Sequence, residues 1–133
     1  GLDLLATAIM LVDRELTVRY ANPAAENLFE LSAKALVGHR LGDVFPDDRV
    51  LEGAIEYARV NNCSYTEHDF ELGAAGRSKL HLDCAVSPVE MESGIALLEF
   101  RHIEQQLRIA REERMLDQNQ ANRELIRNGG FPR

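Results

Sequence analysis

Apolar and polar positions follow two different periods along this chain. Leu2, Leu4, Leu5 and Ala8 suit a short amphipathic entry helix. Ile9–Asp13 and Thr17–Ala21 are apolar runs around the polar turn Asp13-Arg14-Glu15, which predicts a β-hairpin. Asn22-Pro23 then marks a helix start, because Asn accepts from the free N–H groups of a first turn and Pro suits the first helical position. That helix should run through Leu31 and bury Ala25, Leu28 and Phe29. Ser32 caps a second short helix, Ala33–Val37, which Gly38 ends. Leu41–Pro46 reads as a further partly helical piece. Asp47 or Asp48 should cap a longer helix, on which Val50, Leu51, Ala54, Ile55 and Ala58 form one apolar stripe.

From residue 64 the period changes to two. In 64–72, Thr66, His68, Phe70 and Leu72 alternate with Tyr65, Glu67, Asp69 and Glu71. In 79–89, Leu80, Leu82, Cys84 and Val86 alternate with His81, Asp83, Ala85 and Ser87, and Pro88 ends the ladder. Ile95–Arg101 is apolar on both faces up to Leu98. Residues 102–127 then lack Gly and Pro and are rich in helix formers. Ile103, Leu107 and Ala110 share a heptad-like stripe that continues through Arg114, Asp117 and Ala121, while Ile109 and Leu116 offer a competing register.

The predicted order is β-β-α-α-α-β-β-β and a long helix. Three consecutive strands joined by short turns are antiparallel neighbours, and the first hairpin completes a five-stranded sheet. The fold class is therefore α+β, with short helices on one face of an antiparallel sheet and a C-terminal helix after it. The domain expected is 1–101, followed by a linker helix at 102–128 and a tail at 129–133 that is set aside from fold reasoning.

Length and charge narrow the function. One domain of 133 residues holds a real core. The net charge of −7 argues against nucleic acid, whose binding rests on Lys and Arg neutralising phosphates. The acidity is uneven: residues 1–101 carry a net −8, whereas 102–127 are neutral with five charges of each sign. The longest early apolar run, Ala8–Val12, falls far short of a membrane span, so no membrane partner is expected and the location read is cytoplasmic.

Candidate chemistry is sparse. His39, His68, His81 and His102 form no His-x-x-x-His or Cys/His cluster, so no metal site is predicted. Cys63 and Cys84 make no CxxC pair, and Cys84 reads as a buried small hydrophobe. Asp13, Asp43 and Asp83 form no recognisable acid/base pair. No nucleophile elbow, P-loop or GxGxxG motif appears, and Gly73–Gly76 reads as a turn. No catalytic residue and no cofactor is predicted.

The element order resembles the PAS fold over about residues 3–101. Asp13-Arg14-Glu15 stands at the first PAS hairpin, Tyr20-Ala21-Asn22-Pro23-Ala24-Ala25 resembles the segment that opens the first PAS helix, and Phe29-Glu30-Leu31-Ser32 with Leu36-Val37-Gly38 resembles the region after it. More closely, Leu4–Asp13 and Arg123–Asn128 resemble the nitrogen-regulation sensor histidine kinases, the NtrB or NR(II) family. The first segment looks like the opening of their sensor domain, the second like the helix leading into their phosphoacceptor box. In that family a Leu-Ala-His-Glu-Ile-Lys-Asn-Pro run comes next. Here Gly129–Arg133 stands instead, so the phosphorylatable histidine and ATP-binding domain are expected to be absent and this chain is expected to be no kinase itself.

The resemblance implies a signal-input and dimerising module in a cytoplasmic kinase that phosphorylates an NtrC-type response regulator and answers to a PII signal protein, both through the kinase core. It also places a PAS cavity, whose lining would include Tyr20, Phe29, Phe45, Ile55, His68, Phe70, Leu82 and Leu98, with Leu11, Leu28, Leu36, Val44 and Leu51 around them. The favoured reading is a filled core; the alternative is a small-metabolite receptor with His68 or Tyr20 as polar contacts. Haem-binding PAS domains carry a pocket histidine on the central helix, and residues 48–60 have none. Asn62-Cys63 is similar to the reactive step of flavin light sensors, but Ser64-Tyr65-Thr66 departs from their motif.

Overall fold

The computed structural model describes residues 7–90 and 93–127, and of 104–109 the backbone alone. The predicted entry-helix residues Leu2, Leu4 and Leu5 and the tail at 129–133 lie outside the described residues. The chain divides into two compact units, the first running to Ile103 and the second from Glu104.

The first unit opens with strands β1 (Ala8–Val12) and β2 (Val18–Ala21). The short helices α1 (Pro23–Phe29), α2 (Ala33–Leu36) and α3 (Leu41–Val44) follow, then the longer α4 (Arg49–Asn61). Strands β3 (Tyr65–Leu72), β4 (Leu80–Pro88) and β5 (Ala96–His102) complete the sheet. Its order is β2-β1-β5-β4-β3, with every pairing antiparallel. The first strand thus closes on the last, and β5 is hydrogen-bonded along both edges.

Local chemistry explains the entries and exits of the helices. The side chain of Asn22 accepts the Ala25 N–H at 2.9 Å, and Pro23 occupies the first helical position. The same carboxamide also accepts the Ile9 N–H and donates to the Thr7 carbonyl, each at 2.9 Å. One residue therefore caps α1 and clips it to β1. Glu30 ends that helix in the left-handed region at φ 54°, two residues before the predicted end. Ser32 caps α2 through the Ala35 N–H. Asp48 stands at the start of α4, but its carboxyl makes no capping bond, and Asp47 pairs instead with Lys79 at 2.7 Å.

The core lies between the helices and one face of the sheet. Met10 and Val12, Leu82, Cys84 and Val86, and Leu98 and Phe100 alternate inward along three strands. From α4, Leu51, Ala54, Ile55 and Ala58 close over them. Val50, expected on that stripe, is instead 45% exposed. The opposite face of the sheet carries half-buried Ile9, Leu11, Ala85 and Leu97. Leu11 therefore belongs to the outer surface rather than to the cavity lining. In the second unit, α5 (Ile103–Arg127) has 25 residues, about 37 Å of helix. It begins at the residue after β5 ends.

Candidate functional site

Six of the predicted pocket residues, Phe29, Phe45, Ile55, Phe70, Leu82 and Leu98, are buried in the common core. The Phe29 ring meets Phe45 edge-on at 4.8 Å between centroids and Phe100 edge-on at 5.1 Å. Such edge-to-face pairs suit the ring quadrupoles and add to the burial itself. Phe29 comes from α1, Phe45 follows α3 and Phe100 belongs to β5, so this cluster ties the short helices to the central strand.

Tyr20 and His68 do not join that core. Tyr20 is 47% exposed, and the His68 side chain is 74% exposed. A β-bulge explains each error. On β3 the pairing steps from Glu67–Cys84 to Phe70–Leu82, three residues against two on β4. The extra residue reverses the inward phase, so Tyr65 and Glu67 share a face with Phe70 and Leu72, and His68 turns out. On β2 the pairing steps from Val12–Val18 to Leu11–Tyr20, which leaves Arg19 extra and turns Tyr20 outward.

Each bulge is held by an aspartate. Asp69 adopts φ 50°, and its N–H donates to Asp83 Oδ1 at 2.8 Å. His68 Nδ1 lies 3.6 Å from the other Asp83 oxygen. At the first hairpin, Asp13 Oδ1 accepts the N–H groups of Glu15 and Thr17 at 3.0 Å, while Arg19 Nε binds Oδ2 at 2.7 Å. Burial disfavours ionised Asp13, but the Thr17 N–H and the Arg19 guanidinium outweigh it and hold its pKa below the usual carboxylate value. These carboxylates hold the strand irregularities in place.

Arg59, in the last turn of α4, was not singled out by the sequence. Its guanidinium donates to the Gly94 carbonyl at 2.9 Å, to the Arg14 carbonyl at 3.2 Å and to the Asp13 carbonyl. It thereby joins α4 to the β1–β2 and β4–β5 turns. A basic residue late in a helix is the only sequence signal, and such residues ordinarily serve their own helix carbonyls. Elsewhere, burial pushes the Cys84 thiol up to about 12, so it stays protonated, while Cys63 is exposed and free. Among the described residues no group of three His, Cys, Asp or Glu could hold a metal ion. No helix among them is long and apolar enough to cross a membrane.

On the predicted signalling stripe, Ile103 and Ala110 are half-buried, whereas Arg114, Asp117 and Ala121 are exposed within a single chain. The Leu107 side chain lies outside the described residues. Met115, Leu116, Leu125 and Ile126 add exposed apolar surface to α5.

Comparison with known proteins agrees with this architecture. The family described as PAS fold matches residues 2–108. The sensory histidine kinase/phosphatase NtrB of Vibrio alginolyticus is 35% identical over 127 residues, covering 95% of this chain and 36% of that protein. The chain thus spans about a third of the length of the curated relatives it matches. The crystal structure of the PAS domain of nitrogen regulation protein NR(II) from Vibrio parahaemolyticus superposes with a TM-score of 0.59 at 33% identity, over 74% of this chain and 90% of that one. The PAS domain of the Cronobacter turicensis quorum-sensing receptor RpfR, solved in complex with BDSF, shares the fold at 14% identity, with a TM-score of 0.60 over 73% of this chain and 93% of that one. With a five-stranded antiparallel sheet, short helices over one face, and its similarity to NtrB proteins, the chain belongs to the PAS-fold family.

Proposed function

We propose that this chain is the signal-input and dimerising module of a cytoplasmic nitrogen-regulation histidine kinase, in which residues 1–101 act as the PAS domain and 102–128 as the signalling helix. One observation carries the reading: the similarity to NtrB covers 95% of the chain, across both units. In the parent protein two copies pair through the N-terminal segment, the outer sheet face and α5. The kinase core then phosphorylates an NtrC-type response regulator under the control of a PII signal protein. The phosphoryl chemistry belongs to that core, and this module supplies the bias between kinase and phosphatase output.

Two features support transmission over ligand capture. The Phe29–Phe45–Phe100 cluster packs three aromatic rings between the short helices and β5. The α5 stripe is polar at Arg114 and Asp117, which favours a pair with two registers of similar free energy over one locked register. The test is to graft residues 1–128 in place of the sensor domain of an NtrB-type kinase and follow phosphotransfer to its regulator. Retained regulation supports the proposal, and replacing Arg114 and Asp117 together by Leu should freeze the output. Strictly monomeric behaviour of both 1–101 and 1–128 at high concentration would defeat it.

A further inference from the structure

Helix α4 carries two apolar stripes. Leu51, Ala54, Ile55 and Ala58 face the core. Val50, Gly53, Tyr57 and Val60 recur at i, i+3, i+7 and i+10 on another side, and all four are exposed, Val60 by 72%. That spacing is the seam of a helix pair. Gly53 is the unusual member. Glycine is unfavourable in a helix interior relative to alanine, and nothing within the described chain requires it: its φ is not positive, and a Cβ there would meet no atom within 4 Å. Close approach by another backbone would account for a glycine at the centre of an exposed seam.

Charge identifies the occupant. Arg49 and Glu56 lie seven residues apart on the same flank of the stripe, and both are exposed. Across an antiparallel pair related by a two-fold axis, residues on the same flank face each other. An axis passing beside Gly53 brings Gly53 to Gly53 once and, each within one residue of that register, Val50 to the partner copy's Tyr57 and Arg49 to the partner copy's Glu56 twice. One register satisfies the glycine, the apolar pair and the ion pair together, and self-complementarity of this kind is what an isologous contact requires. We propose that the outer stripe of α4 is a two-fold contact between copies of this chain, separate from the sheet-face and α5 pairing. One helix face buries little area, so the contact is weak. Combined with pairing elsewhere, it joins pairs into larger assemblies.

Sedimentation velocity of the 133-residue chain across a wide concentration range tests this. Arg49→Glu and Glu56→Arg should each weaken association about tenfold, because like charges then face each other. The double variant should restore it to within about threefold. To locate the contact, Gly53→Cys is placed in a Cys63→Ser background and mildly oxidised, with Lys34→Cys as the control. Preferential 53–53 cross-linking supports the proposal whichever other surface also pairs. Association indifferent to both single reversals, or cross-linking at 53 no greater than at 34, would overturn it.

Discussion

The backbone N–H of Asp69 on β3 donates a 2.8 Å hydrogen bond to the carboxylate of Asp83 on β4, and this bond secures the bulge that turns His68 outward. The left-handed backbone at Asp69, φ 50°, tolerates Asp and Asn but penalises branched side chains. Asp83→Ala should therefore lower stability by about 1–2 kcal/mol, as expected for a lost charge-assisted bond that is partly solvated. Asp69→Val should cost a similar amount, about 1–2 kcal/mol, while Asp69→Asn should be close to neutral. Urea unfolding checks all three, with an unchanged denaturant slope showing that stability alone has moved.

Asp13 makes the first hairpin sensitive to acid. Its folded pKa lies below the unfolded value, so the folded state holds the carboxylate more tightly than the proton. The stability it contributes is fully present above the unfolded value and is lost as pH falls through the folded one. Asp13→Asn should cost about 1–3 kcal/mol at pH 7, with the difference from the parent shrinking steadily below about pH 4. Thermal melts of both proteins from pH 7 to pH 2.5 measure this, and a difference that stays constant across the range would reject the assignment.

The aromatic cluster of the core gives a second kind of prediction. Phe29→Ala removes the ring that stands between Phe45 and Phe100 and should cost about 3–5 kcal/mol. Phe29→Leu should cost less and stay folded at room temperature. The vacated space is apolar, so it should remain dry and admit a small apolar guest. Benzene should raise the melting temperature of the Leu variant and leave the parent unmoved. A parent protein stabilised equally by benzene would mean that its core already holds usable space.

These residues also show which parts of the fold could be read from the sequence. Asn22-Pro23 is a local signal, and the structure places cap and helix where those two residues imply. The strands were visible because alternation survives over several residues. Their facing was not, at Tyr20 and His68, because a bulge adds one residue and inverts the phase without changing composition. Val50 leaves the expected stripe for a related reason. Two apolar stripes on α4 sit side by side, and spacing alone does not assign i and i+1 to different faces. The three bonds of Arg59 join segments more than thirty residues apart, which no local pattern records.

Asp48 places a buried carboxyl beside Glu52 at the start of α4. It is 6% exposed, its Oδ2 has no hydrogen-bond partner among the described residues, and it makes no cap on α4. Burial first, then the charge of the neighbouring Glu52 carboxylate and a hydrogen bond shared with it, push its pKa up to about 6 from 3.8. Here the sign is the reverse of Asp13. The folded state binds the proton more tightly, so this group's contribution falls as pH rises from about 4 to about 6 and stays unfavourable above that. A rise from 3.8 to about 6 sets a ceiling of roughly 3 kcal/mol. Asp48→Asn keeps the shape without the charge and should stabilise the protein by about 1–2 kcal/mol at pH 7.5. The gain should vanish near pH 4, where Asp48 is already protonated in the folded protein. Chemical denaturation of parent and variant at both pH values decides the point. Equal stability of the two proteins at pH 7.5 would show that Asp48 is already satisfied, and a gain that persists unchanged at pH 4 would assign it to packing rather than charge.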